Sequence, residues 1–249
     1  MSINARVSKD AASVARAAAE NILALALDRV EMMGRFSIAL SGGSTPKAAY
    51  ALLAAEPFAR KMPWEKTRIY FGDERLVPHD HADSNYRMAH EALLKHVSIP
   101  PGNVVAIPTE NDDPQLCAEY YEDILKLQFQ RRSDQFPSLD LVLLGVGPDG
   151  HTASLFPGTP ALDEMQHWVT WCDPVAANPQ IKPAVKRITI TKPVIWHAAN
   201  VLVLATGAEK RHVMQDVFAE NDPANPPPAR LLRQCRGQVT ILMDQPAAP

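Results

Sequence analysis

Cysteine is scarce in this 249-residue sequence, which has only Cys117, Cys172 and Cys235, and no two of them form a CxxC pair. Three cysteines far apart in the sequence argue against a disulfide framework or a zinc–cysteine site, and they favour a reducing compartment. Long apolar runs are also missing, since no stretch approaches the roughly 18 apolar residues of a membrane span. Charged residues are scattered through residues 1–34, so we expect no targeting signal there and no membrane partner.

Neither sign of charge is in large excess. The 25 lysines and arginines are outnumbered slightly by 28 aspartates and glutamates, which gives a net charge of -3. The sequence therefore has no basic field for nucleic acid, and we expect no nucleic-acid partner. Hydrophobic residues make up 46% and charged residues 21%, as in ordinary globular proteins. No repeat or low-complexity linker divides the chain, so a single domain spanning residues 1–249 is expected.

Short apolar runs alternate with stretches of helical periodicity. The first helix is expected from a cap at Ser8 to about Met33, stopped by Gly34. This alternation predicts an α/β fold, as one three-layer domain with a largely parallel sheet. The predicted strands are 36–40, 67–71, 104–107, 141–144, 168–172, 186–191, 201–205 and 238–243.

The stretch 139–158, LDLVLLGVGPDGHTASLFPG, combines a predicted buried strand with two candidate site residues. Its apolar run is typical of a strand buried on both faces, and the glycines that follow allow a sharp turn at the carboxyl end of that strand. Ligands bind at this end of open α/β sheets, so Asp149 and His151 are placed at the mouth of a site. The GxGxxG spacing matches a dinucleotide motif in letters only, because Pro148 lies inside it and too few residues follow for a crossover helix.

A second loop, SGGSTP at 41–46, follows the predicted strand 36–40 and precedes a predicted helix. This order points free backbone N–H groups at an anion, and the glycines let the backbone approach it closely. The loop is not a Walker motif or a nucleophile elbow, because both spacings are absent. An ordinary helix cap is the alternative reading. The candidate anion-binding residues here are Ser41, Gly42, Gly43, Ser44 and Thr45.

Charged residues follow other predicted strands. Asp73, Glu74 and Arg75 come directly after strand 67–71, and we expect one of the three to be an exposed loop charge. Lys210 lies early in a predicted helix after strand 201–205. Arginine and lysine suit phosphate, and a strand-end aspartate suits acid–base work. The histidines and aspartates of 79–83 have no third ligand at a persuasive spacing, so they are expected to form a solvated loop and no metal site.

Together these motifs resemble the 6-phosphogluconolactonase family. The resemblance rests on SGGSTP at 41–46, GDERLVP at 72–78, DSNYR at 83–87 and GVGPDGHTASLFPG at 145–158. KRITIT at 186–191 and TGAEK at 206–210 add to it. The family implies a Rossmann-like fold similar to glucosamine-6-phosphate deaminase, a cytoplasmic location, no cofactor and hydrolysis of a sugar phosphate lactone. A monomer is expected.

The resemblance also implies residue roles. His151 would be the general base that activates water, a task that suits histidine because its unperturbed pKa of about 6.5 is near working pH. Asp149 and Asp73 would orient His151 or substrate hydroxyls. The 41–46 loop would hold the phosphate and sugar, together with Arg75, Asn85, Arg187 and Lys210.

Two alternatives remain open. The related deaminase shares the SGGSTP loop and the Asp-Gly-His turn, but its family has Asp-Glu-Tyr where this chain has Asp73-Glu74-Arg75. That family also carries a glutamate five residues after the histidine, where this chain has Phe156. The second alternative is a non-catalytic sugar-phosphate-sensing domain. The chain has no helix-turn-helix pattern or basic region to support a regulator.

Overall fold

The computed structural model describes residues 3–130, 135–221 and 223–249. Its main sheet has six parallel strands in the order β1-β9-β8-β5-β2-β3, and a second sheet pairs β4, β7 and β6 antiparallel. The strands are β1 (Asn4–Ser8), β2 (Phe36–Leu40), β3 (Thr67–Phe71), β4 (Asp73–Arg75), β5 (Leu141–Gly145), β6 (Val169–Cys172), β7 (Arg187–Ile190), β8 (Asn200–Ala205) and β9 (Gln238–Asp244).

Helices separate most of the strands, as the predicted α/β alternation requires. They are α1 (Ala11–Met33), α2 (Ser44–Leu53), α3 (Phe58–Lys61), α4 (Asn85–Ala92), α5 (Pro114–Phe129), α6 (Pro174–Ala177), α7 (Lys192–His197) and α8 (Arg211–Phe218). Helices α1 and α2 pack on each other and on the main sheet, while α5 packs on β6 and β7. The predicted fold class, with a largely parallel sheet, is confirmed. Within the described residues no helix is long and apolar enough to cross a membrane.

Strand β5 lies inside the main sheet, between β8 and β2, with Leu143 paired to Leu202 and Ile38 paired to Leu141. Its first four residues are buried, as an apolar run covered on both faces should be. Its neighbours β2 and β8 are also almost entirely buried. Because all three strands are parallel, the loops that follow them meet at one edge of the sheet.

The first predicted helix needs a correction at its start. Ser8 ends the edge strand β1, which pairs with β9, and Asp10 caps α1 by accepting a 2.8 Å hydrogen bond from the backbone N–H of Ser13. Strand β1 is largely exposed and has no apolar alternation, so its sequence gives no strand signal. The predicted end is correct, because Gly34 adopts a left-handed conformation with φ 72°.

The predicted strand at 104–107 is wrong. Val104 makes one isolated bridge to Ile69, and the N–H of Val105 donates to the carbonyl of Ile69 at 2.8 Å. A turn at Pro101–Asn103 precedes this segment and Pro108 follows it, so only four residues could form a strand. Pro108 has no backbone N–H and cannot continue the pairing. The remaining predicted strands are present, although β6 and β7 belong to the second sheet.

Candidate active site

The carboxyl-end cleft lies where the loops after β2, β5 and β8 meet β4 and β7. Its volume is about 290 Å³. Ten of the twelve sequence-predicted site residues line it, and the other two, Asp149 and Asn85, lie behind His151 and Gly42. The ten are Ser41, Gly42, Gly43, Ser44, Thr45, Asp73, Arg75, His151, Arg187 and Lys210.

The loop after β2 presents a helix N-terminus to the cleft. Gly43 has φ 105°, a value that favours glycine, and helix α2 begins at the next residue. The Tyr50 hydroxyl fixes the loop by accepting from the N–H of Ser41 at 3.0 Å and donating to its carbonyl at 2.8 Å. The hydroxyls of Thr45 and Thr206 are 2.7 Å apart and join this loop to the one after β8. The arrangement suits an anion.

His151 and Asp149 form a hydrogen-bonded pair just beyond β5. Nδ1 of His151 is 2.5 Å from Oδ1 of Asp149, which also accepts from the backbone N–H of His151 at 3.1 Å. A carboxylate acceptor keeps the proton on Nδ1, so the lone pair of the neutral ring is on Nε2. Gly147 allows this geometry, because a Cβ there would come within 2.1 Å of His151 Nδ1.

Asp149 is held in its charged form. Partial burial raises the pKa of its carboxyl, but the hydrogen bonds and charge of His151 outweigh that effect and lower the pKa below its usual value. A charged Asp149 orients the imidazole and stabilises the ring when it becomes protonated. The pair is therefore arranged for proton transfer.

Phe156 packs beneath the histidine. Its side chain is buried, and its ring stacks on the His151 imidazole with centroids 4.1 Å apart. The Arg187 guanidinium lies 5.1 Å from the same ring. Phe156 thus supports both a proton-transfer group and a cation, and it fixes where they stand relative to each other.

Three cations face the cleft. Arg187 is 4% exposed, and NH1 of Arg75 donates to the carbonyl of Asp83 at 2.7 Å. Within the described residues, the Nε atoms of both arginines are buried without a hydrogen-bond partner. Burial also lowers the pKa of Lys210, although the nearby carboxylate of Glu209 opposes this shift. Partly desolvated cations are costly, and an anion in the cleft would offset that cost.

Asp73 joins the cleft to the second sheet. Its carboxylate accepts from the Ser154 hydroxyl at 2.7 Å and from the Asn85 amide at 3.2 Å. The Asn85 side chain also packs so closely on Gly42 that a Cβ there would come within 2.2 Å of its oxygen. Asn85 therefore holds the loop after β2 against β4, and its own contact with the cleft is indirect.

Residues 9–241 match the family described as glucosamine-6-phosphate isomerases/6-phosphogluconolactonase. A 6-phosphogluconolactonase of Synechocystis sp. is 44% identical over 214 residues, which cover 86% of this chain and 84% of that protein. The chain belongs to this family. A 6-phosphogluconolactonase structure from Trypanosoma cruzi has a TM-score of 0.89 and 36% identity, covering 99% of this chain and 96% of that one.

The family also explains the predicted likeness to the deaminase. A monomeric glucosamine-6-phosphate deaminase structure shares the fold with a TM-score of 0.79 at 19% identity, over 98% of both chains. At that identity the match shows the fold alone, so the residues of the site have to separate the two chemistries.

The burial of the three charged residues that follow β3 differs from the prediction. None of Asp73, Glu74 and Arg75 is exposed, so the expectation of a solvated loop charge among them is wrong. Glu74 is 1% exposed and accepts from the N–H groups of Asn85 and Tyr86, both at 2.7 Å, at the start of α4. A carboxylate suits a helix N-terminus, and Glu74 thereby fixes the position of Asn85.

The sequence reasoning missed several residues of the cleft. Thr206 and Glu209 line it, and the Ser154 hydroxyl donates a hydrogen bond to the carboxylate of Asp73. Thr206 and Glu209 lie within the TGAEK segment, which was a usable signal, because it follows a buried strand just as SGGSTP does. Ser154 also lies in a segment that follows a buried strand, but no local pattern predicts its bond to Asp73, which is 81 positions away.

Within the part of the chain that the structure describes, no group of three or more His, Cys, Asp and Glu side chains could hold a metal ion. The expected loop at 79–83 is present. Nε2 of His79 is 2.8 Å from the carbonyl of Ile107, so that histidine is engaged in packing the loop.

Proposed function

We propose that this protein hydrolyses 6-phospho-D-glucono-1,5-lactone to 6-phospho-D-gluconate, a step of the oxidative pentose phosphate pathway. The observation that carries the proposal is the His151–Asp149 pair in a cleft that also holds three cations and a helix N-terminus. The names of the related proteins support it. Lactone hydrolysis consumes only water besides the substrate, so no cofactor is required.

Binding follows from the charges of the cleft. The phosphate of the substrate is held by the N-terminal turn of α2 and by Arg75, Arg187 and Lys210. A guanidinium group can donate two parallel hydrogen bonds to a phosphate, and a lysine adds a positive charge. Asp73 and the hydroxyls of Thr45 and Thr206 bond the sugar hydroxyls.

His151 acts as the general base. Within the described residues its Nε2 has no hydrogen-bond partner, and the residue lines the cleft. Nε2 takes a proton from a water molecule, whose oxygen attacks the lactone carbonyl at C1 and forms a tetrahedral oxyanion. Asp149 stabilises the resulting imidazolium through Nδ1. Backbone N–H groups of the glycine turns supply donors for the oxyanion.

The oxyanion then collapses, and the bond between C1 and the ring oxygen breaks. The imidazolium returns its proton to the departing ring oxygen, which becomes a hydroxyl group. The product is a carboxylic acid that ionises at neutral pH. One histidine therefore serves as base and then as acid, and it ends the cycle in its starting form.

The deaminase alternative is disfavoured by Phe156. A buried, stacked phenyl ring occupies the position where the deaminase family carries its ring-opening glutamate. A phenyl ring cannot exchange a proton, so the closed sugar would lack its acid–base partner.

Lactone consumption measured against its spontaneous hydrolysis tests the proposal. The lactone is generated in place by glucose-6-phosphate dehydrogenase, and its loss is followed with and without the protein. We expect a clear acceleration. Release of ammonia from glucosamine 6-phosphate without lactone hydrolysis would instead establish the deaminase. Tight sugar-phosphate binding with neither reaction would establish the sensing domain.

A further inference from the structure

A second pocket lies at the opposite end of the main sheet, where β2, β3 and β5 begin. We call it the amino-end pocket. Its volume is about 250 Å³, similar to that of the catalytic cleft. Arg35 and Ser37 come from the start of β2, and Asp140 directly precedes β5. The other polar residues used here are Arg29 from α1, Arg68 and Tyr70 from β3, and Gln128 from α5.

The negative charge in this pocket is already paired. Oδ1 of Asp140 is 2.7 Å from Nε of Arg29, and its Oδ2 accepts from the N–H and hydroxyl of Ser37 at 2.8 and 2.7 Å. Among the described lining residues Asp140 is the one carboxylate. Its charge is balanced by Arg29, so no anionic group remains to balance the other arginines.

Arg35 and Arg68 are those unbalanced cations. Arg68 donates through NH1 to the neutral amide oxygen of Gln128 at 2.5 Å. Arg35 is exposed and forms no ion pair with any carboxylate in the described ranges. Both arginines line the pocket together with Tyr70. Burial raises the pKa of the Tyr70 hydroxyl, and the positive charges of Arg68 and Arg35 oppose that rise. Two positive charges thus face one polar recess.

We infer that the amino-end pocket binds a small phosphate-type dianion, either free or carried by a small metabolite. Arg35 and Arg68 supply the charge and fork-shaped donors, and the Tyr70 hydroxyl adds a third donor. The site is distinct from the catalytic cleft, since β2, β3 and β5 separate the two. The inference does not depend on the lactonase reaction.

An NMR titration with inorganic phosphate tests the inference. The ¹⁵N-labelled protein is titrated at constant ionic strength, set with sodium chloride, and the amides of Ser37 and Tyr70 report on the pocket. The amides of Gly42 and Gly207 report on the catalytic cleft. We expect saturating shifts at both ends. Lys210→Ala should weaken only the response in the cleft.

Arg35→Ala and Arg35→Ala/Arg68→Gln are the decisive variants. Arg35 is exposed, so its replacement leaves the fold intact, and glutamine at position 68 keeps a polar side chain beside Gln128. We expect the double variant to bind phosphate at the amino end about tenfold more weakly or worse, with the cleft response unchanged. Shifts that do not saturate, that sodium chloride alone reproduces, or that persist in both variants would overturn the inference.

Discussion

One aspartate precedes strand β5 and another follows it, and the two have different hydrogen-bond partners. Asp140, before the strand, is 8% exposed, and its carboxylate accepts hydrogen bonds from Arg29 and Ser37. Asp149, after the strand, bonds a histidine whose other nitrogen has no partner among the described residues. The first carboxylate holds elements together, and the second is coupled to a group that can gain and lose a proton. A charged residue at a strand end therefore acquires its role from its partner.

The two ends also differ in backbone. At the carboxyl end, glycine turns and the start of α2 bring N–H groups into the cleft. At the amino end, the donors are arginine and tyrosine side chains. Backbone donors and a proton carrier suit a reaction, whereas side-chain cations alone suit binding. The following changes test that distinction.

Replacing the proton carrier should have the largest effect. We expect His151→Ala to lower kcat for lactone hydrolysis by about 10³-fold, because general acid–base catalysis contributes about 10²–10⁴-fold. The rate is measured above the spontaneous background, and circular dichroism checks folding. Arg35→Ala at the other end is the control and should hydrolyse at the wild-type rate. Near-normal turnover by folded His151→Ala would refute the mechanism.

Exchanging each aspartate for asparagine compares the two ends directly. Asp149→Asn keeps the size but removes the charge that orients and stabilises the histidine, so kcat should fall about 10²-fold with little change in the melting temperature. Steady-state kinetics and thermal unfolding are measured on the same samples.

Asp140→Asn is the matched control. It should lower the free energy of unfolding by about 1–3 kcal/mol, because Arg29 loses its charged partner, while kcat stays unchanged. If the two variants showed the same pattern of loss, the assigned division between a catalytic and a structural carboxylate would be wrong.

Phe156 should matter for positioning rather than for chemistry. Phe156→Leu removes the ring face under His151, and we expect kcat to fall between about twofold and tenfold while KM changes less. Phe36→Leu, at a buried site by the amino end of β2, is the control for lost core volume. It should destabilise the protein similarly and leave kcat unchanged. Equal kinetic losses in the two variants would point to stability alone.

The smallest effect concerns pH. Because burial lowers the pKa of Lys210, this lysine loses its charge at a lower pH than an exposed lysine does. Binding of 6-phosphogluconate in the cleft should therefore weaken several-fold as the pH rises towards 10. Phosphate binding at the amino end should not weaken over this range, since arginine keeps its charge.

Calorimetric titrations from pH 7 to 10 give these dissociation constants. In Lys210→Arg the weakening should move to higher pH. The same pH dependence in wild type and Lys210→Met would show that another group is responsible.

Much of the fold followed from local patterns. The apolar runs of β2, β5 and β8 predicted strands because strands buried on both faces are mostly apolar. Strand β1 was missed because it is an exposed edge strand, held by backbone pairing with β9. The stretch 104–107 failed for the opposite reason, since apolar residues there pack without extended pairing.

The sequence by itself determined the parallel sheet and the gathering of its polar loops at one edge. Both follow from the order of strands and helices and from the glycines at the strand ends. It also placed Asp149 two residues from His151, which is close enough for their hydrogen bond to form locally.

Only the tertiary structure decided which charges are structural. Glu74 and Asp73 are neighbours, yet one caps α4 and the other reaches Ser154, 81 positions away. The stacking of Phe156 on His151 likewise depends on how separate elements pack. The same is true of the pocket that Arg35, Arg68 and Tyr70 line together. Side chains of the same type thus acquire different roles because burial and distant partners, which local sequence does not encode, set their chemistry.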